Sequence, residues 1–455
     1  MALKLDLNNI YKILDKRIFI KSKNELINML NFTRNNFIKY TNNIDNSYGQ
    51  DKYINPLLWQ MGHVIFFYSN LVLDNLPHCK KLSNSTNFNI ISSRNNFSYK
   101  NYIDFYDSFI TPLENRNGSK LIDFNYLVGL YQNIYDYLIE YLTVIKIDDN
   151  LSNSESYIIT LGILHNEMHN EAFIFSKLSL CNNIQFITNY YEDDEIIEDI
   201  EFIHYSSGSF KQGIDDSIDY LIFDNEMPSF DKSINAFSIS KYPITEYQFL
   251  QFVISGGYER EDLWCYNSLK WIKENNITMP LYWVKFSNKY YKLINGSYHS
   301  LTTNLPMANI SYYEAVAYCN WKGLRLPTES EFEYVATNGG NSLFPWGNTK
   351  PDNEKCNINY KNFIVSVNKF KKGNNCRGVC QLIGNIWEWC QEPIYPYDGF
   401  KIDPVYREMS YPFFGFKRIC KGGCFAVPDF LIHPKYRNAQ QDDCRIQFIG
   451  FRVCI

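Results

Sequence analysis

The sequence predicts a multidomain α+β protein in which a four-helix bundle precedes a second domain of mixed helix and sheet. Apolar residues recur every three or four positions in four segments of the first half, which is the spacing of amphipathic helices. After about residue 200, short strand-like runs, glycine turns and tryptophan-rich segments replace that pattern. An acidic run between the two halves is typical of a solvated linker. We therefore predict a bundle over residues 1–190, a linker over 191–201 and an α+β domain over 202–455.

The four predicted helices are separated by turn-forming or polar stretches. They cover about residues 23–44, 57–67, 124–144 and 154–180. The second is expected to begin at Asn55 and Pro56, because Asn is a good N-cap and Pro suits the first helical position. The Asn-rich stretch from 85 to 120 predicts a long loop, which contains Arg116. Four helices with inward apolar stripes form a bundle, and bundle interiors are a usual place for metal sites.

The second half predicts fewer helices. Two clear helical patterns cover about residues 245–255 and 312–322. A third helix is expected to start at Thr328, because Thr328 and Glu331 have the spacing of a capping box. The remainder predicts short strands and irregular connections.

Composition and charge exclude several classes of function. The 455 residues are 45% hydrophobic and 17% aromatic, which is typical of a globular protein. The net charge is −5 and no long basic run occurs, so we expect no nucleic-acid partner. No stretch approaches ~18 uncharged apolar residues, so we expect no membrane span. Because the chain start lacks a signal-peptide core, we expect a cytoplasmic protein whose twelve cysteines are free thiols.

Two histidines four residues apart give the strongest local indication of chemistry. His165 and His169 fall on the apolar stripe of the fourth predicted helix, so both imidazoles are expected to point into the bundle. A metal ion is the simplest way to satisfy both rings there, although core histidines also hydrogen-bond to the backbone. The pair is not the zinc-protease motif, since Asn166 stands where that motif has its catalytic Glu. A metal at this position needs a third ligand.

His63 is the candidate for that third ligand. It lies between Trp59 and Phe67, each four residues away, on an otherwise apolar helix face. A lone His on such a face is more often a core residue with a backbone partner. Beside the later pair, its position predicts a ligand contributed by the second helix.

Several motifs of the second half resemble those of the formylglycine-generating enzymes, whose α+β fold is C-type-lectin-like. They are Ser207-Gly208-Ser209-Phe210, Phe223-Asp224-Asn225-Glu226-Met227-Pro228, Tyr242-Pro243-Ile244-Thr245, Ile310 to Ala315, Leu324 to Glu329, Gly384 to Trp389 and Gly450-Phe451-Arg452. The resemblance does not extend to the activity of those enzymes, which use two cysteines shortly after a Lys-Gly-Gly turn. Here Val427 holds the expected position, and no cysteine follows until Cys444.

The two halves together resemble the sulfoxide synthases of ergothioneine and ovothiol biosynthesis, in which a DinB-like bundle precedes a domain of this fold. The motifs that carry this resemblance are His63, His165-x3-His169-x-Glu171, Gly256-Gly257-Tyr258 with Trp264, Pro280 to Trp283, Tyr406-Arg407-Glu408 and Pro412 to Gly415. They extend the resemblance from about residue 25 to the end of the chain. The sequence has no methyltransferase domain of the kind that many ovothiol-type enzymes carry, so we expect the ergothioneine branch.

The resemblance implies a non-haem Fe(2+) oxidoreductase that uses O2. His63, His165 and His169 would hold the iron and leave positions for substrates and O2. The implied reaction joins a thiol, such as that of cysteine or γ-glutamylcysteine, to the imidazole C2 of hercynine (a histidine betaine) or of histidine, and yields a sulfoxide. Three histidines also suit zinc, so the residues alone leave the metal open.

The resemblance assigns roles to three further residues. Tyr406 matches the active-site tyrosine of the family, which supplies a proton or an electron in the O2-dependent step. Alternatively, Tyr406 has only a packing role, as one of the 36 tyrosines in the chain. Glu171 is expected to orient a ligand histidine from outside the coordination sphere. Met168, between the two ligand histidines, is expected to line the pocket for the imidazole substrate.

The chain departs from the family at positions that contact substrate. Bacterial members that use γ-glutamylcysteine have a second Tyr three residues after the catalytic one, where this chain has Met409. They also have an Asp to hold a cationic amine, where this chain has the uncharged Gln440. Free cysteine, a selenium donor and unmethylated histidine are therefore all open as substrates. Arg116 is a candidate ligand for a substrate carboxylate, although a loop Arg is more often only solvated.

Two other functions remain open from the sequence. The lectin-like fold often serves only as a scaffold for a ligand, so the chain is alternatively a catalytically inactive binding or regulatory module. The bundle with another metal is a further alternative, in which thiol conjugation gives a thioether without the sulfoxide oxygen. The retained histidines and Tyr406 favour the oxygenase.

Overall fold

The computed structural model contains both helices and sheets, as the sequence predicts. The residues it describes are 21–44, 51–76, 99–118, 120–145, 151–181, 195–215 and 219–455. They divide into two compact units. The helical unit contains the described residues of Met1–Cys181 and Asp216–Leu221, and the mixed unit contains those of Asn182–Asp215 and Ile222–Ile455. The domain boundaries expected from sequence stay a prediction, and residues 191–194 of the expected linker lie outside the described residues.

The helical unit has five α-helices among its described residues. They are α1 (Lys23–Thr41), α2 (Leu57–Phe67), α3 (Tyr99–Tyr106), α4 (Phe124–Glu140) and α5 (Asn153–Cys181). A π-helical turn continues α2 over Tyr68–Val72, and another continues α4 over Tyr141–Ile145. All four helices predicted from the hydrophobic pattern are present.

The start of α2 differs from the prediction. Pro56 takes the N-cap position and no side chain caps the helix. The Asn55 side chain does not cap it, because its Oδ1 accepts a hydrogen bond from Arg116 at 2.6 Å. The residue that the sequence marks as a cap thus ties α2 to a distant loop.

Aromatic side chains join α1, α4 and α5. The Phe37 ring stacks on Tyr131 with centroids 3.9 Å apart, and it meets the edge of Phe173 at 5.8 Å. Helix α5 is buried on most of its circumference from Ser154 to Lys177, and not only along one stripe. The sequence pattern therefore identified this helix correctly but underestimated how many neighbours surround it.

Helix α3 lies in the stretch that the sequence predicts to be a loop. Tyr102 and Tyr106 on this helix are buried, and the Tyr102 hydroxyl donates a hydrogen bond to the Gly62 carbonyl at 3.2 Å. A Cβ on Gly62 would lie 2.0 Å from the Tyr106 ring, so only glycine permits this approach of α2 and α3. Burial of these two tyrosines stabilises a helix that the Asn-rich composition of the stretch does not predict.

Replacing Gly62 with Ala is expected to destabilise the protein by about 1–3 kcal/mol, the usual cost of overpacking a core. The added methyl group collides with the Tyr106 ring, and this cost exceeds the gain in helix propensity. The matched control is Gly129→Ala in α4, where a Cβ meets no atom within 4 Å. That change is expected to stabilise the protein by about 0.5–1 kcal/mol. Urea unfolding measures both, and equal effects would contradict the close approach of α3 to α2.

The mixed unit contains four α-helices and eleven strands among its described residues. The helices are α6 (Glu246–Ile254), α7 (Tyr266–Asn275), α8 (Tyr312–Lys322) and α9 (Glu329–Ala336). The strands are β1 (Phe202–Tyr205), β2 (Gly208–Gln212), β3 (Phe230–Ile234), β4 (Phe237–Ser240), β5 (Trp283–Phe286), β6 (Lys289–Ile294), β7 (Ser297–Ser300), β8 (Trp387–Pro393), β9 (Arg418–Lys421), β10 (Asn438–Gln440) and β11 (Ile449–Gly450).

The strands form four small sheets. The largest has the order β10-β9-β8-β11, in which only β11 runs parallel to its neighbour. Two-stranded sheets join β1 to β4 and β2 to β3, and a meander joins β5, β6 and β7. A hydrophobic core packs around Phe332 and Val335 of α9.

Three of the sequence motifs of the second half contribute residues to ion pairs. The Arg452 guanidinium donates two hydrogen bonds to Glu388, at 2.6 and 2.7 Å, and both side chains are fully buried. Arg325 also makes a bidentate pair with Glu331, with both distances at 2.7 Å, but this pair is partly exposed. Bidentate pairs fix orientation as well as charge, so these residues set the geometry of the fold.

The three helices that were predicted in the mixed unit all begin with a capping box. Capping boxes begin α6, α8 and α9, and the box of α9 joins Thr328 and Glu331 as expected. Helix α7 was not predicted. The side chain of its N-cap, Cys265, makes no capping hydrogen bond to the helix backbone, and only Ser268 and Ile272 are buried in the helix. A short, mostly exposed helix without a cap has neither signal that the prediction used.

The described end of the predicted linker belongs to the mixed unit. Asn304 accepts a hydrogen bond from the Ile197 amide at 2.8 Å and donates one to the Glu195 carbonyl at 2.7 Å. All eleven cysteines in the described part of the chain are free thiols. Of the helices described, none is both long enough and apolar enough to cross a membrane.

Candidate metal centre

Three histidines from two helices meet inside the helical unit. His63 comes from α2, and His165 and His169 come from α5. One ring nitrogen of each lies within 4.8 Å of one ring nitrogen of the other two. In the described ranges this is the one group of three or more His, Cys, Asp or Glu side chains spaced to hold a metal ion. The convergence that the sequence predicts is thus present.

The surroundings of His63 fix which nitrogen faces the other two rings. Its Nδ1 lies 2.7 Å from the Tyr106 carbonyl oxygen, which can only accept. We assign the proton to Nδ1 for this reason, which leaves the Nε2 lone pair for a cation. The Trp59 ring stacks on His63 with centroids 5.0 Å apart, and Trp59 Nε1 donates to the Phe105 carbonyl at 2.9 Å. The end of α3 therefore orients both rings.

An aromatic ring and an amide support the two histidines of α5. Phe67 stacks on His165 with centroids 3.7 Å apart and nearly parallel planes. The Gln60 Oε1 lies 3.4 Å from His169 Nδ1, a long hydrogen bond of the kind that orients a metal ligand. Gln60 precedes His63 by three residues, and the sequence analysis did not single it out. Spacing alone marks it as a neighbour of His63 on one face of α2.

Burial keeps the three imidazoles neutral. It lowers the pKa of His63 to about 4, an effect to which the nearby Arg116 charge adds and which the hydrogen bond to Tyr106 opposes. Burial likewise lowers the pKa of His165 and of His169 well below the usual range, and neighbouring imidazoles lower both further. At neutral pH each ring therefore keeps a lone pair for a cation. Three converging imidazoles with free lone pairs fit a first-row transition metal.

The cluster is least buried on the His169 side. His63 and His165 are buried, whereas His169 and Met168 are partly exposed. His169 is therefore the ring of the three that lies nearest to solvent. Glu171 lies one turn from Met168 and is buried. The roles expected for Glu171 and Met168 stay predictions.

Arg116 lies beside the cluster and makes several contacts with protein. Its guanidinium carbon is 4.1 Å from the centroid of the Trp59 ring. It donates to the carbonyls of Thr111 at 2.8 Å and Ser108 at 3.0 Å, and to Asn55 Oδ1 at 2.6 Å. The side chain is thus ordered within the unit and is not a solvated loop residue. Its expected role as a carboxylate ligand stays a prediction.

Tyr406 lies in the mixed unit and is almost fully buried. The Asp403 Oδ1 accepts from the amide of Tyr406 at 3.3 Å. Asp224 in turn accepts from the Asp403 amide at 2.9 Å and from the Ser410 hydroxyl at 2.8 Å. Burial raises the pKa of Tyr406 well above its usual range, and the nearby Glu408 adds to this effect. The phenol therefore keeps its proton at neutral pH.

The two positions that depart from the family motifs, Met409 and Gln440, lie in different settings. Gln440 ends β10, opposite Arg418 of β9, and is partly exposed. Met409 is buried, and its carbonyl accepts from Asn225 at 2.8 Å. The side chain of Gln440 is therefore the more accessible of the two to a ligand.

Comparison with known proteins identifies the family. Residues 192–455 match the model of the sulfatase-modifying factor enzyme 1-like domain. The chain belongs to this family. A formylglycine-generating enzyme of Thermomonospora curvata, another relative, is 31% identical over 264 residues, which cover 51% of this chain and 82% of the relative. The resemblance expected from the motifs of the second half is confirmed.

Other relatives of the family domain are named hercynine oxygenase. The protein of Mycobacterium tuberculosis is 30% identical over 250 residues, covering 54% of this chain and 58% of the relative. The protein of Mycolicibacterium smegmatis is 28% identical over 256 residues, which cover 54% of this chain and 59% of the relative. The chain spans less than two thirds of the length of these relatives. Among solved structures, PvdO from Pseudomonas aeruginosa aligns with 95% of its length at 21% identity and a TM-score of 0.39.

Proposed function

We propose that this chain is an O2-dependent, metal-dependent sulfoxide synthase of the hercynine oxygenase type. One observation carries the proposal: the ring nitrogens of three histidines, two of them buried and one partly exposed, converge in the helical unit of a chain whose other half is related to hercynine oxygenases. We further propose that the helical unit is a DinB-like four-helix bundle over residues 1–190. In this view the acidic run 191–201 links it to a family domain over 202–455.

The metal that fits best is Fe(2+), held by His63, His165 and His169. When bound by three imidazoles, iron supplies redox chemistry with O2 and keeps open positions for substrates. Zinc also accepts three histidines but has no redox chemistry, and the relatives are named oxygenases. The relation to oxygenases therefore favours iron over zinc.

The proposed reaction balances with O2 as the sole oxidant. A thiol S–H and the C2–H of an imidazole are lost, a C–S bond forms, and the sulfur gains one oxygen atom. The second oxygen atom leaves as water with the two hydrogens. The four electrons that O2 takes come from forming the C–S bond and from oxidising the sulfur. Holding both substrates in one site makes their union effectively unimolecular.

The chain's own residues divide the remaining tasks. Tyr406 holds a proton at its hydroxyl and supplies it, or an electron, in the oxidation. Met168 lines the pocket for the imidazole, and Glu171 orients a ligand histidine. Gln440 contacts the amine end of a substrate as a neutral amide, and Arg116 is a candidate for a carboxylate. These roles rest on the family motifs and on the placement of each residue in its own unit.

The substrates are proposed as a thiol and a histidine derivative. Hercynine or histidine accepts the sulfur, and cysteine or γ-glutamylcysteine donates it. Gln440 cannot pair with a cationic amine as an Asp does, so either the sulfur donor or the methylation state of the histidine derivative is expected to differ from that of the members that use γ-glutamylcysteine. Ovothiol-type substrates and a selenium donor are the alternatives that a substrate panel distinguishes.

The test is O2 consumption by the anaerobically purified, iron-loaded protein. Hercynine and histidine are each paired with cysteine, γ-glutamylcysteine and a selenol, and the products are identified by mass spectrometry. We expect thiol-dependent O2 uptake with one productive pair, and a product that carries one added oxygen atom. A product without that oxygen indicates thioether formation instead. Absence of O2 uptake with every pair, in a protein that holds iron, contradicts the proposed function and favours a binding module.

A further inference from the structure

We propose that Arg116 is a positioning residue of the metal centre, through which the supports of both His63 and His169 are joined. This inference rests on the proposed function, because it requires that the three histidines bind a metal ion. It differs from the role of a substrate-carboxylate ligand, which sequence alone suggested for this side chain.

The first support is the carbonyl that orients His63. Tyr106, whose oxygen lies 2.7 Å from His63 Nδ1, is the last residue of α3. The chain then turns, and Arg116 donates to the Ser108 carbonyl at 3.0 Å and to the Thr111 carbonyl at 2.8 Å. Two hydrogen bonds from one guanidinium thus hold the segment that immediately follows the orienting carbonyl.

The second support is the amide that faces His169. Gln60 Nε2 donates to the Asn55 carbonyl at 3.1 Å, which turns Gln60 Oε1 toward His169 Nδ1 at 3.4 Å. Asn55 is itself fixed, since its Oδ1 accepts from Arg116 at 2.6 Å. Arg116 therefore reaches His169 through Asn55 and Gln60.

The third support is a stack. The Arg116 guanidinium carbon lies 4.1 Å from the centroid of the Trp59 ring. Trp59 also stacks on His63, with ring centroids 5.0 Å apart and planes at 10°. A planar group that donates in three directions and also stacks is required for all these contacts. Lysine offers the charge without the fork or the flat face, so it cannot replace arginine here.

The experiment measures Co²⁺ binding by the full chain, with the visible spectrum of bound Co²⁺ as a report on ligand geometry. Arg116→Ala, Arg116→Lys and Asn55→Ala are compared with wild type. We expect Co²⁺ affinity to fall ~10-fold in both Arg116 variants, at the lower end of the effect of groups that orient a ligand. Asn55→Ala, which removes only the path to Gln60, is expected to weaken binding less. The band positions of bound Co²⁺ should shift in the two Arg116 variants.

The matched control is Arg34→Ala. Arg34 also stacks on an aromatic ring, at 4.8 Å from the Tyr135 centroid, and donates twice to Gln132. Within the described residues, no hydrogen bond or ring contact joins Arg34 to the three histidines, Tyr106, Gln60 or Trp59. Its Co²⁺ affinity and spectrum should equal those of wild type. Thermal melting of the metal-free proteins shows whether an affinity loss reflects general unfolding.

Several outcomes overturn the proposal. The first is a Co²⁺ affinity and a Co²⁺ spectrum that are unchanged in Arg116→Ala. If this variant also has a raised KM for one substrate alone, Arg116 is assigned to substrate binding. Full rescue by Arg116→Lys also overturns the proposal, since it shows that charge suffices. A loss of affinity in Arg34→Ala as large as in Arg116→Ala indicates a general effect on folding. If wild type binds no Co²⁺, the proposed function fails together with this inference, whereas the other outcomes leave that function standing.

Discussion

Replacing His165 with Ala is expected to abolish metal binding by the chain. His165 is buried, lies against Phe67 and is at a similar distance from both other rings, with centroids 5.1 Å from His63 and 4.7 Å from His169. Removing it leaves two imidazoles and an apolar gap. We expect affinity to fall more than ~100-fold, beyond the ~10–100-fold typical of groups that only orient a ligand. Iron per chain after anaerobic gel filtration measures the loss.

Two further variants separate ligation from folding. His204→Ala removes an exposed histidine of the mixed unit and should retain iron as wild type does. His165→Gln keeps much of the side-chain volume without an imidazole and should lose iron as His165→Ala does. Retention of one iron per chain by both His165 variants would refute ligation by this residue.

Replacing Tyr406 with Phe is expected to lower the rate of sulfoxide formation ~100-fold or more, within the range of general acid–base contributions. The change removes one oxygen atom and leaves the buried ring in place. The pKa of Tyr406 is raised well above its usual range by burial, so its proton is present throughout the neutral range and the effect should persist across it. Iron content and melting temperature should be unchanged. Product formation followed by mass spectrometry gives the rate.

Tyr411→Phe is the control for this change. Tyr411 lies five residues away and is 69% exposed, so loss of its hydroxyl should not alter the rate. An unchanged sulfoxide yield in Tyr406→Phe contradicts the catalytic role and leaves Tyr406 as a packing residue. A thioether in place of the sulfoxide would show that Tyr406 directs which product forms.

The sequence was most informative where periodicity and chemistry coincide. His165 and His169 are four residues apart on a helix, so their neighbourhood followed from helix geometry alone. His63 required a further step, namely that its helix packs against α5, and the apolar surroundings of His63 indicated this. The capping box that begins α9 could likewise be identified from the sequence, because a capping box is a local contact between residues three apart.

The groups that orient the three histidines could not be predicted from the sequence in the same way. The position of the Tyr106 carbonyl is set by α3. The Asn-rich composition does not predict this helix, because it is stabilised by the tertiary burial of Tyr102 and Tyr106. Asn55 looked like a helix cap because its partner, Arg116, lies 61 residues further along the chain. Such long-range hydrogen bonds leave no periodic trace, so both the start of α2 and the setting of Arg116 differ from expectation.

The central claim is that a single metal ion binds between His63, His165 and His169. It is tested most directly by crystals grown anaerobically with Fe²⁺ and measured on both sides of the iron absorption edge. We predict one strong anomalous peak per chain, bonded to a ring nitrogen of each of the three histidines, with His63 binding through Nε2. An iron peak at any other position, or an iron-loaded protein with no peak between these rings, would contradict the account.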